Sequence, residues 1–252
     1  MSVSIDAIPA VQRRALEMLG EELPRVLGDK LVALWAYGAM VFPEPPKRLG
    51  DVDTHAVIAQ GLSETERSAV QAVHDQIARR IGIEWDSWYV LESDARGAKP
   101  PVHLLNSQTI DAAWALHRAH WLAGMYVDLH GASPDRVVQI PEWSELQEAL
   151  LSERRYIERF VTEGRNDADH SAYAVWNGCR IAYSLTTRVV VVSKRRAGAW
   201  ALATLPTRWH AAIRAAERVY DGEADLEDAA LLKTSLSSFV EAIFVMTCSP
   251  GE

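Results

Sequence analysis

Leu31-Val32-Ala33-Leu34-Trp35-Ala36-Tyr37-Gly38-Ala39, followed by Asp51-Val52-Asp53, decides how this chain folds. The first run is continuously apolar and too short for a typical helix, so it reads as a buried strand that stops at Gly38. A loop with three prolines, Pro43, Pro45 and Pro46, separates it from a second strand at Val52–Ala59. Alternation along that strand puts Asp51 and Asp53 on one face and turns Val52 toward the core. Two carboxylates held so close repel unless a cation sits between them. The expected cation is hard and divalent. Mg²⁺ typically takes one or two carboxylates together with substrate phosphates.

Working outward, Ile83 to Leu91 reads as a third strand, with Glu84 and Asp86 on a shared face. If it pairs beside the Asp51–Asp53 strand, a third carboxylate reaches the same place. Asp86 is the preferred residue, either as a further metal ligand or as the base that takes a proton from an acceptor hydroxyl. Glu84 is second. The plain alternative is that all four acids are solvated strand ends. Gly38 lets a backbone approach phosphate closely. Ala39 beside it has no hydroxyl to donate, and Lys47 and Arg48 follow as further charges or as ordinary surface residues.

The flanking sequence is helical. Residues 8–26 repeat Val11, Leu16, Leu19 and Leu23 at helical spacing. Ser63 and Glu66 form a capping-box pattern that opens a helix to about Arg80. Gly97, Pro100 and Pro101 punctuate residues 94–101, the expected domain boundary. Beyond it helical periods dominate, and only Arg188 to Val192 reads as a strand. The expected fold class is therefore α+β: a small α/β domain over residues 1–98, then a helical bundle domain over residues 99–252.

Composition narrows the function. An apolar fraction of 48% supports real cores, and a net charge of −8 argues against a nucleic-acid binder, which needs a basic face. Cys179 and Cys248 lack metal-ligand spacing and fit a reducing compartment. No signal sequence opens the chain and no apolar run is long enough to span a bilayer. A soluble cytoplasmic monomer, with small-molecule partners and no membrane or nucleic acid, is expected.

Longer-range motifs carry a family resemblance. Tyr37-Gly38-Ala39 through Asp51-Val52-Asp53 is followed in order by Arg180-Ile181-Ala182-Tyr183-Ser184, Ser193-Lys194, Ala199-Trp200-Ala201-Leu202, Leu205-Pro206 and Ala216-Glu217-Arg218-Val219-Tyr220. Over roughly residues 10–245 the chain resembles the aminoglycoside adenylyltransferases that modify streptomycin and spectinomycin. The resemblance implies a polymerase-β-like nucleotidyltransferase domain followed by a helical domain, with ATP as co-substrate, Mg²⁺ as metal and an aminoglycoside or aminocyclitol as acceptor. It implies that Asp51 and Asp53 bind Mg²⁺ and that Asp86 is the catalytic base. It implies further that Gly38, Ala39 and Gly50 lie in the phosphate-binding turn, that Lys194 contacts the ATP phosphates, that Tyr220 lines the nucleotide site and that Arg180, also a cofactor-binding candidate, sits near the domain interface.

The sequence departs from that family at marked places. Ala39 and Gly50 stand where serines are usual, and Ala113 stands where a nucleotide-contacting acid is usual. Val161 and Asn166 fall where streptomycin-modifying members carry a tryptophan and an aspartate. The expectation is therefore AMP transfer to a hydroxyl, with spectinomycin favoured over streptomycin. The alternatives are a nucleotide-binding pseudoenzyme and a nucleotidyltransferase with another acceptor. Asp167, Asp169 and His170 are candidates for gripping acceptor ammonium or hydroxyl groups; the competing reading of an Asp before a helix is a cap. Lys194-Arg195-Arg196, by composition alone, is a solvated helix start.

Overall fold

The computed structural model describes residues 2–43, 45, 47, 51–106, 108 and 113–248. They divide into two compact units, one of residues 1–43 and 49–142, the other of residues 44–48 and 143–252.

The first unit is built on a four-stranded sheet in the order β3-β2-β1-β4. Its strands are β1 (Leu31–Tyr37), β2 (Asp51–Ile58), β3 (Glu84–Leu91) and β4 (Val127–Gly131). β1 runs antiparallel to both β2 and β4, whereas β2 and β3 are parallel. A parallel pair needs a crossover. Here it is α2 (Glu64–Ile81), opened by the Ser63–Glu66 capping box read from the sequence.

Each face of the sheet buries a core. On one, Leu16, Leu19 and Leu23 of α1 (Ala10–Leu27) and Val70 and Ile77 of α2 pack on Leu34, Ala36, Val52, Ala56 and Ile58. These alternate residues share a face because a strand repeats every two positions. On the other, Ala33, Trp35, Tyr37, Val57 and Val90 meet Trp114 and Trp121 of α4 (Ala113–Leu122) and Val137 of α5 (Pro134–Val137). A short α3 (Glu92–Ala95) follows β3 directly.

Two expectations are corrected. The boundary between the units falls at Glu142, not at residue 98. The reason is that β4 pairs with β1 and α4 covers the second sheet face, so residues 99–142 complete the first unit. The strand expected at Arg188 to Val192 is absent. Arg188 takes a left-handed conformation (φ 58°) that ends a helix, and extended coil follows. The late strand is instead β4, whose five residues carry little alternation to read.

The second unit holds α6 (Trp143–Thr162), α7 (Ala168–Thr187), α8 (Lys194–Thr204), α9 (His210–Asp221) and α10 (Leu226–Cys248). α7 packs against the other four. Buried positions occur nearly all around it, from Ala172, Val175 and Trp176 to Cys179 and Ala182, as expected of a helix at the centre of a bundle. Small residues let its neighbours approach: a Cβ at Gly178 would stand 2.9 Å from the Phe239 ring. No helix among the described residues is long and apolar enough to cross a membrane.

Candidate active site

β2 and β3 align in register, with Asp51 beside Glu84 and Asp53 beside Asp86. In a parallel pair, residues in register point to the same face, so all four acids share one. They share it with Tyr37, which lies opposite Asp53 across the β1–β2 ladder. Successive positions on one face of a strand stand about 6.6 Å apart, whereas neighbouring strands are about 4.8 Å apart. Asp53 and Asp86 are therefore one close pair, and Asp51 and Glu84 form a second, one step toward solvent.

Gly38 makes this arrangement possible. Its φ of 85° is left-handed, and a Cβ there would lie 1.7 Å from Asp53 Oδ2. The glycine expected to bring backbone toward phosphate is thus the seat on which the Asp53 carboxylate rests.

Tyr37 reports the charge density. Burial pushes its phenol well above the ordinary value, and the charges of Asp53, Asp86 and Asp51 push it further. It remains a neutral O–H at any physiological pH. Asp86 keeps a solvent-exposed outer surface, yet crowding by its neighbours raises its carboxyl above the usual range. The Trp88 indole N–H, donating at 3.0 Å, works against that rise, and the Asp51 charge adds to it. A more basic carboxylate is a better proton acceptor near neutral pH.

Beneath this rim the face turns apolar. His55, fully buried, packs between Tyr37, Trp114, His117 and Trp121, with ring centroids 4.7–5.9 Å apart. Burial holds its imidazole well below the ordinary value, so it is neutral.

The acids fit a hard cation by donor type, being oxygen ligands at a strand edge. Among the described residues, however, no three His, Cys, Asp or Glu side chains already converge as a metal cluster. The structure places the expected set of Asp51, Asp53 and Asp86 on one face, where the Asp51 charge acts on Asp86. Two carboxylates are still what Mg²⁺ typically takes when phosphates complete its shell.

The second unit carries a cationic cluster. Ser193 caps α8, and Lys194 and Arg195 occupy its first turn. Lys194 Nζ donates to the Tyr220 hydroxyl at 2.6 Å and lies 4.6–4.7 Å from the ring centroids of Tyr220 and Tyr173. Tyr220 stacks on Trp176 with centroids 4.6 Å apart and planes 8° from parallel. Burial raises the Tyr173 phenol well above its usual value, with Glu153 and the phenols of Tyr220 and Tyr156 adding and Arg180 opposing. Arg180 therefore acts electrostatically on Tyr173. Arg195 turns the other way, donating to Glu217 at 2.7 Å and to Asp221 at 2.9 Å.

The remaining expected residues divide. Asp167 caps α7, accepting from the His170 backbone N–H at 3.0 Å and bonding the His170 ring at 2.6 Å. These two residues are thus engaged with each other at a helix start, beside Asp169 in the first turn. Lys47 is engaged within the second unit, its backbone N–H on Asp221 and its ammonium on Glu223. Gly50 and Arg48 lie outside the described residues. Sequence reasoning missed Tyr37, Trp88, Trp176 and Asp221. The signal for Asp221 was present, since Lys194-Arg195 and Tyr220-Asp221 are adjacent pairs of complementary chemistry.

Two comparisons with known proteins find likenesses. Residues 142–245 match the family model for the aminoglycoside adenylyltransferase C-terminal domain. The fold is similar to that of the spectinomycin adenyltransferase AAD(9) from Enterococcus faecialis, solved with ATP and spectinomycin, with a TM-score of 0.71 and 12% identity. That likeness covers 90% of this chain and 98% of the other. No curated protein matches the chain by sequence. Both comparisons fall on the same class of enzyme, the adenylyltransferases. The helical unit resembles the C-terminal domain of the aminoglycoside adenylyltransferases, and the fold resembles that of AAD(9).

Proposed function

We propose that this protein is an ATP- and Mg²⁺-dependent adenylyltransferase that transfers AMP to a hydroxyl of an aminoglycoside or aminocyclitol. The observation that carries this reading is the in-register pair of Asp53 and Asp86 on a strand edge seated on Gly38. Bound Mg²⁺ would neutralise phosphate charge as it develops. Asp51 and Asp53 would hold it, with Asp86 beside them on the same face.

The chain's own residues divide the remaining work. Asp86, with its raised carboxyl, accepts the proton from the acceptor hydroxyl. The hydroxyl oxygen then forms a bond to the α-phosphorus, the bond from that phosphorus to the bridging oxygen breaks, and pyrophosphate leaves. Lys194, oriented by Tyr220 and Tyr173, supplies a positive charge to the ATP phosphates, and Arg180 adds to the local positive field. Tyr37 offers a neutral O–H beside the acids, and the packed layer around His55 excludes water from beneath.

Spectinomycin is favoured over streptomycin as acceptor. Val161 and Asn166 offer a guanidinium-bearing drug no aromatic face and no ion pair. Asp169, next to the Asp167–His170 cap, is the candidate for holding acceptor ammonium. The test is mass spectrometry after incubation with ATP, Mg²⁺ and each drug. An AMP adduct on spectinomycin is expected. An adduct on streptomycin alone would reverse the preference. Adducts on neither would favour a nucleotide-binding pseudoenzyme or another acceptor, a reading that Ala39, with no hydroxyl in the Gly38 turn, also supports.

A further inference from the structure

Asp221 occupies an unusual place for an acid. It is the last residue of α9, where unpaired carbonyls make negative charge unfavourable. Its side chain is only 9% exposed. Three N–H groups surround its carboxylate: both terminal nitrogens of Arg195, at 2.9 and 3.4 Å, and the backbone of Lys47, at 3.3 Å. Glu217, one turn earlier, takes Arg195 as well.

The geometry has a consequence for Lys194. Lys194 and Arg195 are consecutive on α8, and Tyr220 and Asp221 are consecutive on α9. The two rungs, Lys194 to Tyr220 and Arg195 to Asp221, lock the first turn of α8 against the last turn of α9. The Arg195 guanidinium also lies 5.9 Å from the Trp176 ring, which stacks on Tyr220. A lysine ammonium sits on a flexible four-carbon stem, so its position depends on what fixes the stem's root. Arg195 fixes it, and Asp221 holds Arg195.

We propose that Asp221 is a positioning residue for the Lys194 phosphate grip, acting through Arg195. The inference rests on the proposed role of Lys194 and adds to it. It assigns Arg195 to the protein's own carboxylates, so that of the two adjacent cations Lys194 alone serves the nucleotide.

The experiment is calorimetric titration of the full chain with ATP and Mg²⁺, alongside thermal unfolding, for Lys194→Ala, Arg195→Ala, Asp221→Asn and the Arg195→Ala/Asp221→Asn double variant. Asp221→Asn keeps the shape and removes the charge. It is expected to weaken ATP binding about five-fold, the effect of losing one half-buried ion pair. Arg195→Ala should do the same, and the double variant should be no worse than either, because the residues act in series. A lowered melting temperature with unchanged ATP affinity would show a merely structural pair and overturn the inference. A rise in affinity, as if a freed Arg195 engaged phosphate, would overturn it too. Lys194→Ala separates the levels. If it weakens ATP binding while Asp221→Asn does not, only the positioning role fails. If it has no effect, the phosphate role of Lys194 fails first.

Discussion

The acidic edge of the first unit and the Lys194 cluster of the second are built by different physics. Asp53 and Asp86 are brought together by backbone hydrogen bonding. Once β2 and β3 pair in register, the pleat fixes which side chains are neighbours. Lys194 and Tyr220 are separated by 26 positions and meet only because helices pack and aromatic rings stack. The first site is set by register and tolerates little change of shape. The second is set by side-chain contacts and should degrade gradually when one is removed.

The largest expected effects fall on the register-built site. Asp53→Ala removes a proposed metal ligand without removing apolar packing. Loss of metal-borne charge stabilisation is worth several kcal/mol, so transfer should fall on the order of 10³-fold or more while the protein stays folded. Steady-state rates and circular dichroism check both halves. Asp86→Asn should leave ATP affinity near wild type and lower transfer by roughly 10²–10⁴-fold, because an amide cannot accept the proton.

Acid should also separate the two regions. His74, in the first unit, is buried against the Tyr89 hydroxyl at 2.6 Å, and burial lowers its imidazole to about 4 from 6.5. A folded value below the unfolded one means stability is full above pH 6.5. The unfolded chain gains a proton that the native protein refuses, so stability falls as pH drops from about 6.5 toward 4, by on the order of 3 kcal/mol. Buried His55 acts in the same direction. Denaturant unfolding at pH 7, 5.5 and 4 should show the slope, and His74→Gln should flatten it.

Smaller effects belong to the contact-built site and to the outer acid. Lys194→Ala loses a charge-assisted contact worth about 1.5–3 kcal/mol, or roughly ten- to a hundred-fold in ATP affinity. Glu84→Gln, one strand step from Asp86, should lower transfer only a few-fold, on the order of 1 kcal/mol. A larger loss than for Asp86→Asn would move the base to Glu84.

What the sequence revealed follows the same division. Period-two alternation made Asp51, Asp53, Glu84 and Asp86 legible as a shared face, and the Ser63–Glu66 box marked α2. The extent of the first unit was not legible, because five-residue β4 carries too little pattern and its pairing with β1 spans most of that unit. Gly38 was legible as a turn but not as the seat of Asp53, since close approach is a three-dimensional fact. Lys194 and Tyr220 came from the family resemblance alone. Arg195 with Asp221 escaped, because helical periodicity shows which face is apolar and not which neighbour a charge will meet.

Titration of ATP and Mg²⁺ into Asp86→Asn and Lys194→Ala, with transfer to spectinomycin measured on the same samples, tests this division most directly. The account predicts unchanged ATP affinity and lost transfer for Asp86→Asn, and at least ten-fold weaker affinity for Lys194→Ala with transfer largely restored at saturating ATP. Equal loss of affinity in both, or no loss in Lys194→Ala, would contradict it.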